Sequence, residues 1–589
     1  MAVENLITEH FDIWTSAVKT KSTSGRGSSK KLELYGIKKL RELILELAVR
    51  GKLVPQDPND EPASVLLERI AAEKAQLVKE KKIKKQKALP EVTEQEAPFN
   101  VPKGWEWTRL GNLSSDIHYG YTASAKPNSE GVRLLRITDI QNDKVNWETV
   151  PACDITEEKA KSYLLENDDI LIARTGGTIG KSYLVENIDL QAVFASYLIR
   201  VKRVQAVYAP FTKVFLGSQL YWKQLIENSA GTGQPNVNAT ALKQLLFIVP
   251  PFNQQKRIVA KVDELMTLCD QLEQQTEASI EAHQVLVTTL LDTLTHSADA
   301  NELMQNWARI SEHFDTLFTT EESIDQLKQT ILQLAVMGKL VPQDPSDEPA
   351  AKLLKRIAEE KAQLVKEKKI KKQKALPPIS EDEKPFELPS GWEWCRVDDV
   401  VALKHGFAFK SSYFLESSGP YVLTTPGSFY ETGGFRDRGD KTKYYDGPLE
   451  EEFIFEANDL IIPLTEQAPG LLGSAAFIPE DGRTYLHNQR LAKLTPYHDA
   501  VRKDYIYWYF NSPYLRSELA RTCTGTTVRH SSPTKVQVTL FALPPTNEQK
   551  NIVERIDSLL SICQQLKARL NESQATRLHL TDAIVEQAV

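Results

Sequence analysis

Residues 73–90 read EKAQLVKEKKIKKQKALP, and residues 360–377 repeat the same 18 letters without a change. The match continues beyond them at the same offset of 287 residues, since GWEW at 104–107 returns at 391–394. Repetition at a fixed offset is the signature of a duplicated structural unit. The rest of the sequence therefore has to fit a fold with two related halves.

A second repeat closes each half. VPPFNQQKRIVAKVDELMTLCDQLE at 249–273 matches LPPTNEQKNIVERIDSLLSICQQLK at 543–567, at an offset of 294 residues. The chain of 589 residues is thus two copies of one unit, about 1–300 and 301–589. Each copy consists of a helical segment, a variable domain and a long helix.

Periodic apolar residues predict the helices. In the long segments after the Pro-Pro pairs, apolar residues alternate by four and three, which is the pattern of a coiled-coil seam. Cys269 and Cys563 occupy matching seam positions, and we interpret both as small core residues rather than as metal ligands or disulfide partners. Before the first variable domain, a helix is predicted to begin near Pro62 and to continue to about Lys87.

Short β-rich runs between the helical parts, such as DILIARTG (169–176) and ASYLIRVKRV (195–204), indicate mixed domains. The predicted fold class is α+β: a tandem pseudo-twofold repeat of two mixed α/β domains separated by long antiparallel coiled-coil helices. The expected segments are a helical segment over 1–94 with a flexible linker near 20–31, a variable domain over 95–250, a central helical segment over 251–381, a second variable domain over 382–545 and a C-terminal coiled-coil helix over 546–589.

Composition excludes several classes of protein. Acidic residues (79) outnumber basic ones (72), and the net charge of −7 excludes a uniformly basic nucleic-acid coat, so such contacts are left to local patches. The five cysteines are far apart and form no C-x-x-C pair, which argues against a disulfide scaffold and favours a reducing compartment. Because no run of about 18 apolar residues and no signal-peptide pattern occurs, we expect no membrane segment and a cytoplasmic location.

Each variable domain is charge-polarised along its sequence. The net charge is −4 over 101–170 and +5 over 171–250, and in the second domain it is −7 over 391–470 and +4 over 471–543. A polyanion is the natural partner of such basic halves. The alternative is that both signs are scattered between halves that fold together.

No motif provides a catalytic constellation. In TGGTIGKS (175–182), Gly176 lies one residue too close to Gly180 for a nucleotide-binding loop. VPPF (249–252) lacks the leading Asp or Asn of the adenine methyltransferase motif, and no glycine-rich cofactor fingerprint precedes it. H-E-x-x-H and G-x-S-x-G are absent as well. We therefore expect that this chain is not an enzyme and that it binds no cofactor and no metal.

The strongest local charge lies in the repeated KEKKIKKQK at 79–87 and 366–374. Seven lysines and two glutamates give residues 73–90 a net charge of +5, and the second copy has the same charge. A solvated helix face would explain this composition. Contact with phosphates or docking to an acidic partner is the alternative.

The layout and a set of characteristic phrases resemble the DNA-specificity subunit of type I restriction-modification systems. The phrases are YGYTAS (119–124), LLRITDIQ (134–141), DDILIARTGGTIGKSYLV (168–185), GTGQPNVNATALK (231–243) and VPPFNQQKRIVAKVDEL (249–265). The resemblance covers essentially the whole chain. The N-terminal arm and the repeated GKLVPQD are similar to the longer-chain branch of that family.

The resemblance implies a non-catalytic specificity subunit. Each variable domain would be a target-recognition domain that reads one half of a bipartite, asymmetric site in double-stranded DNA, and the helices would set the spacer. The subunit would dock two adenine methyltransferase (modification) subunits and the ATP-dependent restriction/translocase subunits. S-adenosylmethionine, ATP and Mg are then cofactors of these partners, and this chain binds none of them.

The family motifs supply candidate DNA contacts, in which Arg and Lys serve phosphates or guanine while Asn and Gln pair with adenine. In the first domain they are Tyr119, Tyr121, Arg174, Thr175, Lys181, Gln234, Asn236 and Asn238. The second domain departs from the family pattern, with HGFAF (405–409) in place of YGYT and GTTVRHSS (525–532) in place of GTGQPNVN. Its candidates are Lys404, His405, Phe407, Gln489, Arg490, Thr527, Arg529 and His530.

Other interpretations stay open at this point. The aromatic candidates are equally compatible with core packing, and Asn236 and Asn238 with a turn or a helix cap. For the whole chain, the alternatives are a divergent DNA-modifying enzyme and a coiled-coil adaptor that binds only proteins.

Overall fold

The structure is a computed structural model that describes residues 3–21, 31–127, 130–229, 237–298, 300–370, 376–466, 468–523 and 529–589. Contacts among the residues divide the chain into two compact units. Unit 1 comprises the described residues of 1–21, 30–278 and 574–589, and unit 2 comprises those of 279–573.

Unit 1 begins with helices and continues into a β-rich domain. Its helices are α1 (Val3–Glu9), α2 (Phe11–Ser16), α3 (Tyr35–Val49), α4 (Ala63–Lys79), α5 (Glu157–Ala160), α6 (Ala209–Phe215), α7 (Gln219–Ser229) and α8 (Ala239–Gln244). Its strands are β1 (Lys19–Lys21), β2 (Lys31–Glu33), β3 (Glu106–Arg109), β4 (Ser114–Tyr119), β5 (Arg133–Leu135), β6 (Ile140–Gln141), β7 (Lys144–Val145), β8 (Ile170–Ala173), β9 (Ser182–Leu184), β10 (Ala192–Phe194), β11 (Leu198–Arg203) and β12 (Leu246–Val249). The long helix α9 (Phe252–Thr295) follows β12.

Unit 2 repeats this order. Its helices are α10 (Ala300–Glu312), α11 (Phe314–Leu317), α12 (Glu321–Val336), α13 (Ala350–Lys366), α14 (Val397–Val400), α15 (Lys503–Phe510), α16 (Pro513–Thr522) and α17 (Pro533–Gln537). Its strands are β13 (Glu393–Arg396), β14 (Val401–His405), β15 (Phe414–Leu415), β16 (Tyr421–Leu423), β17 (Tyr444–Tyr445), β18 (Leu460–Pro463), β19 (Thr465–Glu466), β20 (Ala476–Phe477), β21 (Tyr485–Leu486), β22 (Leu491–Pro496), β23 (Arg529–His530) and β24 (Leu540–Leu543). The second long helix, α18 (Thr546–Ala588), follows β24.

The central sheets of the two units have the same strand order. The order is β4-β11-β8-β9 in unit 1 and β14-β22-β18-β20 in unit 2, and all of these pairs are antiparallel. Each unit also has a parallel pair (β5 with β10, β16 with β21) and an antiparallel pair that joins the start of the domain to its end (β3 with β12, β13 with β24). The predicted α+β tandem repeat is confirmed.

A sharp turn precedes the central strand of each sheet. Asp168 (φ 71°) and Asn458 (φ 64°) adopt the left-handed conformation that their short polar side chains tolerate. The next carboxylate, Asp169 or Asp459, accepts the backbone N–H of the residue three positions earlier, at 3.0 and 2.9 Å. These hydrogen bonds explain why a polar pair stands before each strand.

The charge-polarised halves of each variable domain fold together. Strand β11, from the basic half of unit 1, lies between β4 and β8, and its Arg200 forms a buried ion pair with Asp169 at 3.2 Å. In unit 2, Lys493 of β22 pairs with Asp459 at 2.6 Å. Part of the charge of each basic half is therefore neutralised inside the domain, as the alternative interpretation of the charge pattern expects.

Helix α4 is shorter than its sequence predicts. It begins after Pro62, as expected, but ends at Lys79 instead of near Lys87. Lys81 adopts a left-handed backbone (φ 59°), and the N–H of Lys82 donates to a carbonyl of the last turn at 2.9 Å, which closes the helix. The lysine-rich run therefore follows the helix and does not lie on its face.

The long helices have the predicted apolar seam. They contain 44 and 43 residues, and seam residues such as Ile258 and Ile552 are fully buried. Cys269 and Cys563 are buried free thiols in this seam, as their spacing predicts. Burial raises the pKa of both thiols, that of Cys269 to about 11.

Each unit contains the start of one long helix and the end of the other. In unit 1 the Tyr35 hydroxyl donates to Asp582 at 2.7 Å and joins the N-terminal helical segment to the end of α18. In unit 2 the Lys339 ammonium donates to the Thr295 carbonyl at 3.0 Å and joins the central helical segment to the end of α9.

The apolar seam of α18 can be tested by truncating one buried and one exposed isoleucine of this helix. Ile552→Ala should lower the free energy of unfolding by about 2–5 kcal/mol, because it opens a cavity in the buried seam. Ile562, exposed on the same helix, is the matched control, and Ile562→Ala should change that free energy by less than about 0.5 kcal/mol. Urea unfolding of the full chain, followed by circular dichroism, measures both. Equal losses for the two variants would contradict the seam assignment.

Candidate nucleic-acid interface

Several loops and a helix start meet at one end of the central sheet of unit 1. Arg174 follows β8 and Tyr197 precedes β11, and the Arg174 N–H donates to the Tyr197 carbonyl at 3.1 Å. The Val237 N–H, just before α8, donates to the Arg174 carbonyl at 3.0 Å. We define edge 1 as Tyr119, Arg174, Thr175, Tyr197 and Asn238.

Tyr119 and Arg174 form the best-defined pair of edge 1. The Arg174 guanidinium lies over the Tyr119 ring, 4.6 Å from its centroid. The Tyr119 hydroxyl accepts the N–H of Ala239 at 3.2 Å, so helix α8 fixes the ring. Nε of Arg174 is buried and has no hydrogen-bond partner among the described residues.

The three amide candidates of unit 1 have different positions. Asn238 is the N-cap of α8, and its side-chain oxygen accepts the Ala241 N–H at 2.8 Å. The cap interpretation is therefore correct for its oxygen, which leaves the NH₂ group for another contact. Gln234 and Asn236 lie outside the described residues.

The other sequence candidates of unit 1 lie in edge 1 or next to it. Tyr121 is half-buried, with its ring centroid 5.5 Å from that of Tyr163. Thr175 is half-buried and Lys181 is exposed, on either side of a short 3₁₀ turn that is followed directly by β9. The absence of an α-helix after this turn agrees with the rejection of a nucleotide-binding loop.

Tyr197 is a functional candidate that the sequence analysis missed. It is 63% exposed, although it stands in an apolar run that predicts a strand. Its N-terminal neighbours approach β4 closely, since a Cβ at Gly120 would collide with the carbonyl oxygen of Ala195. The available signal was the second copy: aligning LIRVKR of β11 with LAKLTP of β22 places Tyr197 opposite Arg490, which the sequence had already singled out.

Unit 2 repeats this scaffold with other side chains. The Leu464 N–H donates to the Arg490 carbonyl at 2.8 Å, and the Ser531 N–H donates to the Leu464 carbonyl at 2.9 Å. By register, His405, Leu464 and Arg490 occupy the positions of Tyr119, Arg174 and Tyr197. We define edge 2 as His405, Thr465, Arg490, His530 and Ser532.

Two candidates of unit 2 are engaged inside the domain. The Lys404 ammonium donates to the Glu452 carboxylate at 2.9 Å and lies 5.0 Å from the centroid of the Phe453 ring. Phe407 belongs to the same aromatic cluster, with ring centroids 5.3 Å from Phe409 and 5.1 Å from Phe453. The charge of Lys404 is thus paired with a carboxylate of its own domain.

The remaining candidates of unit 2 lie at or near edge 2, except one that is outside the described residues. Gln489, Arg490 and His530 are exposed, and the His530 ring nitrogen Nδ1 lies 3.2 Å from the Thr465 hydroxyl. The main chain of Arg529 pairs with β19. Thr527 lies outside the described residues.

Within the described ranges, no group of three or more His, Cys, Asp or Glu side chains is arranged to hold a metal ion. A search of the same residues finds no helix with the length and apolar character needed to cross a membrane.

Two stretches of the sequence, residues 102–282 and 389–573, match the family described as the type I restriction modification DNA specificity domain. Together they cover more than half of the chain. The chain belongs to this family. As a type I specificity subunit, it serves in DNA sequence recognition and is not itself an enzyme.

Relatives agree with this assignment over the full length. The chain is 43% identical to the type I restriction enzyme EcoAI specificity subunit of Escherichia coli and 39% identical to the EcoEI specificity subunit of the same species, with 100% of each chain covered. The expected membership of the longer-chain, EcoAI-like branch is confirmed. A solved structure from a study of complex assembly and conformational transition of the type I R-M system covers 83% of this chain and 99% of its own, with 19% identity and a TM-score of 0.48.

In this specificity subunit, a buried histidine packs beneath the loop of edge 2. His487 stands two residues before Gln489, its ring centroid lies 4.6 Å from that of Phe455, and its Nε2 lies 3.2 Å from the Leu491 carbonyl oxygen. Burial lowers the pKa of His487 to about 4. The neutral ring can donate to the Leu491 carbonyl and so hold the loop that carries Gln489 and Arg490.

Acidification should destabilise unit 2 through His487. Its pKa is about 4 when folded and about 6.5 when unfolded, so the unfolded state binds more protons between these values and stability falls as the pH decreases. From pH 7 to pH 4.5 this residue should cost about 2 kcal/mol. His487→Gln keeps an N–H for the Leu491 carbonyl but cannot titrate, and it should remove that part of the loss.

Urea unfolding of the full chain at the two pH values measures the difference. His405→Gln, at the exposed end of β14, is the control and should retain the pH dependence of the wild type. The prediction fails if His487→Gln loses as much stability on acidification as the wild type.

Proposed function

We propose that this specificity subunit reads a bipartite, asymmetric site in double-stranded DNA, with edge 1 contacting one half and edge 2 the other. The observation that supports this proposal is one main-chain scaffold with different side chains: Leu464 replaces Arg174, and Arg490 replaces Tyr197. Base sequence is read by side chains that match the base edges. Equal scaffolds with unequal side chains therefore suit two half-sites of different sequence.

The edges offer different recognition chemistry. At edge 1, Arg174 is oriented by stacking on Tyr119 and can donate to guanine or to a phosphate, while the NH₂ of Asn238 can donate to an acceptor on a base. At edge 2 the cation comes from Arg490, and the adjacent exposed Gln489 has the amide that pairs with adenine. Thr175 belongs to edge 1, Lys181 and Tyr121 would support it, and Gln234 and Asn236 are further candidates.

We assign residues 95–250 and 382–545 as the target-recognition domains, since the two central sheets and their edges lie in them. The segments 1–94, 251–381 and 546–589 then form the helical frame. A helix of 44 residues is about 66 Å long at 1.5 Å per residue, whereas major-groove segments one turn apart are separated by about 34–36 Å. The long helices are thus long enough to set the spacer.

The frame has equivalent exposed apolar residues in both units. Leu268 of α9 (41% exposed) corresponds to Ile562 of α18 (45%), and Leu286 (50%) corresponds to Leu580 (45%). Unit 1 thus contains Leu268 and Leu580, and unit 2 contains Ile562 and Leu286. We infer that each set docks one adenine methyltransferase (modification) subunit, because two equal surfaces suit two copies of one partner.

The catalytic steps then belong to the partners. The modification subunits would use S-adenosylmethionine, and ATP-dependent restriction/translocase subunits would use ATP and Mg. The complex would act in the cytoplasm.

The assignment of half-sites to edges can be tested at one equivalent position. Tyr197→Ala should weaken discrimination in one half-site only, and Arg490→Ala in the other half-site only. Each loss should be about 1–3 kcal/mol, or roughly fivefold to 160-fold in affinity. Sequencing of the DNA that the assembled complex methylates reports both half-sites at once, and binding measurements give the affinities.

Lys103→Ala is the control, because this exposed lysine precedes β3 and lies outside edge 1. The methylated sequence should stay unchanged in this variant. If Tyr197→Ala and Arg490→Ala relaxed the same half-site, or neither relaxed any, the assignment of one half to each edge would be wrong.

Docking of the modification subunits can be tested by introducing charged residues into the proposed contact surfaces. Leu268→Glu with Leu580→Glu should reduce the number of bound modification subunits from two to one, because a carboxylate on an apolar contact surface opposes burial. Ile562→Glu with Leu286→Glu should have the same effect through unit 2. Native mass spectrometry of the reconstituted complex measures the stoichiometry.

Val65→Glu is the matched control, since this exposed apolar residue of α4 has a lysine, Lys352, at the corresponding position of the second copy. It should leave two modification subunits bound. Two bound subunits in both double variants would contradict the docking surface.

A further inference from the structure

The segment that follows α4 is fastened to the recognition domain of unit 1. The Lys74 ammonium donates to the Gly111 carbonyl at 2.8 Å, and burial lowers its pKa to about 8. Further along, the Gln86 amide donates to the carbonyl of Ser115 in β4 at 3.0 Å. The Arg109 side chain donates to the carbonyl of Pro90 at 2.9 Å. These contacts hold both ends of the lysine-rich run against the domain.

Between these contacts, half-buried side chains recur at every third residue of the run. Ile83, Gln86 and Leu89 are half-buried, and the residues between them are exposed. A side chain faces the domain at every third position, as in an extended threefold chain. The structure thus separates the residues that attach the run from those that face solvent.

The outward residues are mostly lysines. Lys82 pairs with Glu80 at 2.7 Å. The other exposed lysines form no ion pair with a described residue: Lys81, Lys84, Lys85 and Lys87. Four positive charges within seven residues, held on a fixed support, make a strong local field in a chain of net charge −7.

The identity of the two copies gives the second argument. The contact before the run is repeated in unit 2, since Lys361 donates to the Asp398 carbonyl at 2.6 Å as Lys74 does to Gly111. Packing against the domain does not account for the identity of the lysines, which face solvent in unit 1. An identical lysine-rich sequence beside different edges fits a partner that is the same for both domains.

We propose that the lysine-rich segment, residues 81–87, is a phosphate-binding strip that contacts the DNA backbone beside the bases read by edge 1. The segment would supply the sequence-independent part of binding, because phosphates are the same whichever bases are read. This inference rests on the proposed DNA contact at edge 1 and adds a separate surface to it.

The geometry is compatible with one continuous DNA contact. The Gln86 amide donates to the Ser115 carbonyl, and Ser115 lies four residues before Tyr119 on the same strand, or about 14 Å at about 3.4 Å per residue. Phosphates follow one another by about 3.4 Å per strand along the helix axis. The strip therefore lies within a few base pairs of the edge. An acidic surface on a partner subunit is the competing target, and the experiment has to separate the two.

The test uses the assembled complex with the variant Lys81→Gln, Lys84→Gln, Lys85→Gln, Lys87→Gln. Its affinity is measured for DNA with and without the recognition site, between about 50 and 200 mM salt. The slope of log K against log salt should shrink by about 0.9 for each lost phosphate contact, up to about 3.6 for four. Both DNAs should weaken by the same factor, and the methylated sequence should stay the same. Lys84→Gln with Lys85→Gln should give about half of the change in slope.

Lys352→Gln with Lys355→Gln is the matched control, because these exposed lysines of α13 correspond to Val65 and Glu68 in the first copy. The control should keep the slope of the wild type. An unchanged slope in the four-lysine variant would overturn the phosphate strip. Loss of partner subunits at an unchanged slope would overturn it too, in favour of an acidic protein surface. Either result leaves half-site reading by edge 1 intact, since that depends on the separate Tyr197 and Arg490 variants.

Discussion

Two main-chain hydrogen bonds tie together the ends of three segments in each unit. In unit 1 they run from the Arg174 N–H to the Tyr197 carbonyl and from the Val237 N–H to the Arg174 carbonyl. Because they involve no side chain, the residues that they hold can change without loss of the geometry. Unit 2 shows the outcome, since the same two bonds hold Leu464 and Arg490 at these positions. Variable recognition depends on this separation of scaffold from side chains.

In the interior of each domain, unlike at the edges, particular side chains are needed to hold the structure together. The Arg200–Asp169 pair is buried in unit 1, and burial raises the pKa of the Asp169 carboxyl although Arg200 opposes this shift. Breaking such a pair leaves an uncompensated charge in the interior. The equivalent pair in unit 2 keeps the carboxylate, Asp459, and changes the cation to Lys493. Exchange of residues is thus restricted inside the sheet and tolerated at its end.

The sequence was sufficient for the repeat, the fold class and the seam of the long helices, because these follow from identity and periodicity. It was not sufficient for the end of α4, where good helix formers continue past Lys79 and no Gly or Asn marks the left-handed turn at Lys81. It also did not show which basic residues pair with carboxylates inside a domain, since antiparallel strands bring the acidic and basic halves together. Such pairings are set by tertiary contacts that no local pattern encodes.

The candidate site was predictable only in part. Tyr119 and Arg174 were singled out, but their stacking and the buried Arg174 Nε depend on how two distant strands meet. Tyr197 was missed because a tyrosine before an apolar strand predicts core packing, whereas the turn places it outside. Asn238 was identified, and its role as a helix cap leaves its NH₂ group for another contact.

The equal and unequal parts of the chain together determine how the direction of a DNA site is sensed. The proposed docking surfaces are the same in both units and would contribute the same free energy when the DNA is turned end for end. Discrimination between the two directions must then come from the edges alone. A good bidentate base contact contributes about 1–3 kcal/mol, so one mismatched contact at each edge amounts to about 2–6 kcal/mol. That is roughly 30-fold to 10⁴-fold in affinity. A few side chains on two copies of one scaffold are therefore enough to make recognition asymmetric.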